Sequence, residues 1–254
     1  MMRTGSPPLA DRTNWALFMD IDGTLLDLAP TPDGVIIPKG LPQLLDSLAR
    51  ALGGALALVS GRSLDSIDRL FPGLWDAVGC HGTEWRLGGQ TFTPQPSWSD
   101  GLVAGIEAAR RRLPGVVLER KSVSLALHFR AAPEQGAAVR ALAEAAVATD
   151  PRRFGLLEGK SVMEIIPAGN SKGSAIERFM RVPPYAGRRP VFAGDDVTDE
   201  SGFTAVNGMG GHSIHVGDSP VSKAHFCFPD PLAMRHWLYG LNNALGGDQD
   251  HEHP

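Results

Sequence analysis

Only two cysteines, Cys80 and Cys227, occur in the 254 residues. Each lies in an apolar segment, and neither has a spacing that metal ligation uses. Two such thiols do not build the framework of a disulfide-dense secreted fold, so both are expected to be free and the setting a reducing cytoplasm. Long hydrophobic runs are missing too: no stretch approaches the ~20 apolar residues that a membrane span requires. The opening MMRTGSPPLADRT has no apolar segment of the signal-peptide kind and reads as a loose polar tail. Nor is there an excess of positive charge. With 24 Lys and Arg against 28 Asp and Glu, the net charge of -4 argues against nucleic acid or an anionic membrane as a partner. No internal repeat is visible, and no strongly apolar exposed helix stands out, so a monomer is expected.

What is present is a globular composition, 43% apolar and 20% charged, enough for one large domain or two smaller ones. WALFMD, ending at Asp20, is a short continuous apolar run, the pattern of a strand buried on both faces of a parallel sheet. LPQLLDSLARAL follows with apolar residues at 41, 44, 45, 48 and 52, which is helical spacing. A second buried strand runs over 55–59 to Ser60, and LDSIDRLF reads as another helix. This β-α-β-α rhythm predicts an α/β fold with a parallel sheet. Near Pro94 the rhythm changes. SWSDGLVAGIEAARRRL, GVVLERKSVSLALHFR, PEQGAAVRALAEAAVA and FGLLEGKSVMEIIP together read as α-β-β-α-β-β, a small open-faced sandwich. After residue 170 the α/β rhythm returns and runs to the last helix, PLAMRHWLYGLNNAL. The sequence therefore predicts a discontinuous core over 1–94 and 171–254, with an α+β domain inserted at 95–170. The terminal GGDQDHEHP is expected to be disordered.

In an open parallel sheet, ligands bind beyond the carboxyl ends of the strands. Four stretches fall there. DIDGT places Asp20 and Asp22 two apart at a strand end, where extended chain would aim both to one side. The glycine and threonine that follow would let the chain turn away and leave room for a ligand. GDDVTDE gathers Asp195, Asp196, Asp199 and Glu200, whose mutual repulsion calls for a cation. Oxygen donors of this kind favour Mg²⁺ over zinc. Ser60 in LVSGR ends a strand, and Lys172 in NSKGSA opens a helix, where an anion such as phosphate is favoured. Each alone has a plainer reading: a calcium loop or Asx turn for DxDG, a turn for GDD, a helix cap for Ser60, a solvated lysine for Lys172. Their order and shared position at element ends favour phosphoryl transfer. A carboxylate can serve as nucleophile, a second carboxylate can move the proton, and a cation, a lysine and a hydroxyl can offset the charge of the transferring group.

These four motifs, in this order, resemble the haloacid dehalogenase superfamily of aspartate-nucleophile phosphatases. The resemblance covers essentially the whole chain. It implies a Rossmann-like core with the inserted sandwich as a cap, Asp20 as nucleophile and Asp22 as general acid/base. It further implies Mg²⁺ held by Asp20, the main-chain carbonyl of Asp22, Asp195 and Asp199, and a phosphoryl group held by Ser60, Gly61 and Lys172. Asp196 stands either as a second ligand or as polar support.

Alternation in the inserted strands puts Val123, Leu125, Leu127 and Phe129 toward the helices. Ser124, Ala126, His128 and Arg130 take the open face. Glu119, Lys121, Lys160 and Glu164 would join them there, a face suited to a polyhydroxylated ligand or, equally, to cross-strand ion pairs in solvent. VGCHGTEWR, ERKSVSLALHFR and EGKSVMEIIPAGNSKG, with GDDVTDE, resemble the trehalose-6-phosphate phosphatase family. That resemblance implies trehalose 6-phosphate as the substrate, contacted by Arg62, His81, Gly82, Glu119, Lys121, His128, Arg130, Lys160, Glu164, Asn170 and Asp196. His81 can equally be a structural histidine. Phosphatases of other sugar phosphates, and a non-catalytic sugar-phosphate-binding regulator, are the alternatives.

Overall fold

A computed structural model describes residues 3–8, 12–29, 34–73, 75–94, 98–121, 123–159, 161–218 and 221–246. Lys160 and the terminal residues 247–254, for which a sugar contact and disorder were expected, lie outside the described residues. The chain divides into two compact units, residues 1–91 with 171–254, and residues 92–170.

The first unit contains β1 (Arg3–Thr4), β2 (Trp15–Met19), α1 (Leu41–Ala51), β3 (Leu56–Val59), α2 (Leu64–Leu70), β4 (Ala77–Gly79), β5 (Glu84–Leu87) and β6 (Gln90–Phe92), the last reaching its boundary. The second contains α3 (Asp100–Arg110), β7 (Val117–Arg120), β8 (Leu125–His128), α4 (Gly136–Ala148), β9 (Phe154–Gly159) and β10 (Val162–Pro167). The chain then returns to the first unit with α5 (Lys172–Phe179), β11 (Arg189–Gly194), α6 (Glu200–Gly208), β12 (His212–Val216), β13 (Phe226–Phe228) and α7 (Pro231–Ala244).

Among the described residues, the first unit's sheet has the order β1-β13-β12-β11-β2-β3-β4-β5-β6 and is parallel from β1 to β4. β2 sits in its middle, between β11 and β3. All five of its side chains are buried, which is why its sequence is apolar without alternation. Helix α1 buries Leu41, Leu44, Leu45 and Leu48, and Leu52 beyond its end, as the spacing predicts. Part of the opening tail is not loose. Arg3–Thr4 pairs in parallel with Phe226 and Cys227, and the Arg12 guanidinium donates to the Ala244 carbonyl at the end of α7 (2.8 and 3.0 Å). Neither β1 nor β13 was predicted, because two- and three-residue edge strands carry too little periodicity to read. Neither cysteine is in a disulfide; Cys80 is buried and Cys227 half-buried.

The second unit is an antiparallel sheet, β7-β8-β10-β9, with α3 and α4 on one face. Leu125, Leu127, Met163, Ile165 and Phe154 pack with Val103, Ile106, Val139 and Ala143 of the helices. On the opposite face the register aligns Glu119, Ala126 and Glu164 in one row across three strands. That face is not uniformly solvated: Ser124, Ala126 and Glu164 are buried.

Candidate active site

β2 delivers Asp20 to the carboxyl edge of the sheet, where its N–H donates to Ala193 O of β11 (3.0 Å). The chain then closes a tight turn in which the Ile21 carbonyl accepts the N–H groups of Leu25 and Leu26 (3.0 and 2.9 Å). Gly23 adopts φ +79°, and a Cβ there would overlap the Asp195 carboxylate. The room that this glycine leaves is therefore taken by a second acid, which it lets approach the turn.

The Asp20 carboxylate, 4% exposed, is held on both oxygens. Oδ1 accepts from Lys172 Nζ (2.7 Å) and Oδ2 from Thr24 Oγ1 (3.1 Å). Lys172 opens α5, behind Ser171, which caps that helix in a reciprocal box with Ser174. Its Nζ also donates to Asp199 Oδ1 (2.6 Å), and Asp199 Oδ2 accepts the main-chain N–H groups of Asp195 and Asp196 (3.1 and 3.0 Å). One ammonium thus faces two buried carboxylates, with Asp195 beside them. Oxygens of Asp20, Asp195 and Asp199 all lie within 4.8 Å of one another.

The electrostatics follow from that count. Burial, reinforced by Asp199 and Asp22 and opposed by Lys172, pushes Asp20 up to about 7. Burial together with Asp20 and Asp199 pushes Asp195 up to about 9. Burial alone would lower the Lys172 ammonium, but Asp199 and Asp20 outweigh it and hold its pKa well above the usual lysine range. The cluster is short of positive charge, and its hard oxygen donors lie close enough together to fit a divalent cation.

Asp22 stands apart from this trio. Arg62 grips both its oxygens, Nε to Oδ2 at 2.7 Å and Nη2 to Oδ1 at 2.6 Å. Ser60 is buried and its Oγ accepts the Arg62 N–H (3.2 Å). Three residues in succession, Cys80, His81 and Gly82, take positive φ (46°, 55° and 110°). This turn is wedged tightly: the His81 ring lies against Gly61, and a Cβ on Gly82 would overlap the Ser171 backbone at the head of α5. The N–H of His81 donates to Ser60 O (3.1 Å). Left-handed conformation is costly for cysteine and histidine, and such strain concentrates at functional sites.

The other acidic residues of GDDVTDE have local work. Asp196 caps its own turn, accepting from the Val197 N–H (2.6 Å), which is the polar-support alternative. Glu200 does not join the cluster: it accepts from Ser222 Oγ (2.6 Å) and from the Lys223 N–H (2.9 Å), tying down the segment after β12. Asn170 donates to the Pro167 and Ala168 carbonyls within its own turn (3.2 and 3.4 Å). On the sheet face of the second unit, Lys121 Nζ meets both Glu164 oxygens (3.1 and 3.2 Å), and Ser124 Oγ also donates to Glu164. His128 Nε2 lies 2.7 Å from Glu119 Oε2, while Arg130 is exposed in the turn after β8. Thr24, expected only to let the chain turn away, also steadies Asp20 through its hydroxyl. Its signal was a hydroxyl four residues after the first aspartate.

A mainly parallel sheet with buried carboxylates gathered around a lysine at its carboxyl edge, interrupted by an α+β insertion, defines a haloacid-dehalogenase-type protein. Comparison with known proteins narrows the class. The sequence model of the trehalose-phosphatase family matches residues 18–226. A probable trehalose-phosphate phosphatase of Sinorhizobium fredii is 44% identical over 229 residues, covering 89% of this chain and 86% of that protein. The trehalose-6-phosphate phosphatase of Escherichia coli is 42% identical over 247 residues, covering 95% and 91%. Among solved structures, the C-terminal domain of the Candida albicans trehalose-6-phosphate phosphatase superposes with a TM-score of 0.79 at 21% identity, over 91% of this chain and 93% of that one, a likeness of fold. The chain belongs to the trehalose-phosphatase family and is a phosphatase.

Proposed function

We propose that this enzyme hydrolyses trehalose 6-phosphate to trehalose and inorganic phosphate through an aspartyl-phosphate. Its place would be the last step of trehalose synthesis. The observation that carries the reading is the buried Asp20–Lys172–Asp199 arrangement with Asp195 beside it, in a chain 42% identical to a named trehalose-6-phosphate phosphatase. Mg²⁺ would be held by Asp20, Asp195 and the main-chain carbonyl of Asp22. Asp199, whose oxygens already serve Lys172 and two N–H groups, would support the ion from behind. When bound, the cation supplies Lewis-acid stabilisation of charge on the transferring phosphoryl oxygens.

This chain's own groups do the rest. Thr24 and Lys172 fix the Asp20 carboxylate so that one oxygen can attack phosphorus in line. As the P–O bond to the sugar breaks, Asp22 protonates the leaving oxygen. It then takes a proton from the water that opens the acyl phosphate, which returns Asp20 to its free form. Ser60, the N–H of Gly61 and the ammonium of Lys172 hold the phosphoryl oxygens. The polar sheet face of the inserted unit would read the sugar through Lys121, Glu164, Glu119 and His128, with Arg130 and Lys160 as further contacts. His81 and Gly82 would contact the sugar from the core, and the inserted unit would act as a cap that excludes water. Mass spectrometry tests the covalent step. Asp22→Asn incubated with Mg²⁺ and p-nitrophenyl phosphate, whose phenolate leaves without a proton, should accumulate one phosphoryl group on the peptide holding Asp20, and its absence there under rapid quench would contradict the mechanism.

A further inference from the structure

The paired grip of Arg62 on Asp22 is unexplained by the reaction as described. Both Asp22 oxygens are occupied, at 2.7 and 2.6 Å, by the guanidinium's Nε and Nη2. The fork fixes the plane and position of the carboxylate, so Asp22 can swing to a leaving oxygen only if the pair opens. Its two members are differently placed: the Arg62 side chain is 8% exposed and that of Asp22 31%. The arginine's main chain cannot follow a moving partner. Its N–H is bound to Ser60 Oγ (3.2 Å), and its carbonyl accepts the Cys80 N–H (2.8 Å), which belongs to the strained left-handed turn. Nη1 adds a contact to Ser66 Oγ on α2 (3.3 Å). Only the fork itself can be exchanged, and the anion that enters here is a phosphate monoester, for which a guanidinium is a bidentate partner as good as a carboxylate.

We propose that Arg62 is a positioning residue that parks Asp22 between turnovers and transfers its fork to the substrate phosphate, so that only when a phosphate is in place is Asp22 released to take up a proton from solvent and pass it to the leaving oxygen. This rests on the reading of Asp22 as acid/base in the phosphatase reaction. It differs from the sugar contact that the family resemblance implies for Arg62.

Two measurements on the full-length, Mg²⁺-supplied enzyme test it. The first is a crystal structure with and without orthovanadate. The expected result is vanadate beside Asp20, with Arg62 on the anion and Asp22 freed. Vanadate beside Asp20 with the fork still on Asp22 would overturn the proposal and leave the catalytic reading standing. Vanadate bound only elsewhere would overturn both. The second measurement separates KM from kcat for trehalose 6-phosphate. Arg62→Met should raise KM by tenfold or more and lower kcat. Arg62→Lys can meet a phosphate but cannot fork on a carboxylate, so it should recover KM without recovering kcat. An unchanged KM in Arg62→Met, or equal losses of both constants in the two variants, would show a merely structural role.

Discussion

Lys172 carries more of the site's electrostatics than any other side chain. It is buried, opens α5, and is the ammonium shared by Asp20 and Asp199. Replacing it with methionine removes the ammonium that favours the ionised form of Asp20, so the loss of stability should be greatest at alkaline pH and reach at most about 3–5 kcal/mol. Urea denaturation at pH 9 with a chelator present should show it, and an undiminished midpoint there would contradict the pairing. Asp20→Asn, by contrast, should fold normally while phosphate release falls by at least about a thousandfold, the scale on which nucleophile removal acts. Near-normal turnover would end the covalent account.

The same residues give a pH dependence whose sign can be worked out. In the metal-free folded chain, Asp20 and Asp195 hold protons up to about 7 and about 9, whereas carboxyls in the unfolded chain release theirs near ~3.9. The folded state therefore binds more protons across that window, and these groups' contribution to stability falls as pH rises from about 4 to about 9. In chelator, calorimetry should find that Asp195→Asn flattens the decline of Tm between pH 5.5 and pH 9. Mg²⁺ needs both groups ionised and should stabilise wild type most at the alkaline end. A steeper decline in Asp195→Asn would contradict the assignment.

At the scale of elements, legibility followed burial. β2, β3 and β11 and helix α1 could be read because a strand buried on both faces, or a helix with one buried stripe, leaves a continuous signature. Asp20 and Asp195 were legible for a related reason, since charge at the end of an apolar run is costly and needs a function, whereas Asp199 was read from the mutual repulsion of an acidic cluster and Lys172 from its place at a helix start. What local pattern does not carry is pairing across the chain. The Arg62–Asp22 fork spans 40 residues and the Glu200 grip on the segment after β12 spans 22 and 23, so neither is visible as spacing. Glu119, Lys121, Ser124, Ala126, His128 and Glu164 share one face of the inserted sheet as alternation assigns, but their burial was not legible. Alternation assigns faces and says nothing about what lies against them, so Ser124 and Glu164 were expected to be more open than they are. Glu164 gathers Lys121 and Ser124 on that face. Glu164→Ala should therefore depress kcat/KM for trehalose 6-phosphate by at least about tenfold, the cost of a hydrogen-bonded site left unpaired, and for an aryl phosphate much less. Equal losses on both substrates would remove the sugar-reading role from this face.

For the molecule as a whole, the family follows from matches over most of the chain, and the chemistry is proposed from one edge of one sheet. The fold alone would not choose a substrate, since one scaffold hosts many reactions and only the site discriminates. The alternative of another sugar phosphate is thus decided by substrate rather than by structure. The most direct test is phosphate release by the purified full-length protein from trehalose 6-phosphate, sucrose 6-phosphate and glucosylglycerol phosphate, each with Mg²⁺ and with EDTA. The account predicts that trehalose 6-phosphate has the highest kcat/KM, by at least about a hundredfold, as expected of a site that hydrogen-bonds its sugar, and that EDTA abolishes release. A higher kcat/KM for either other sugar phosphate, or undiminished turnover in EDTA, would contradict it.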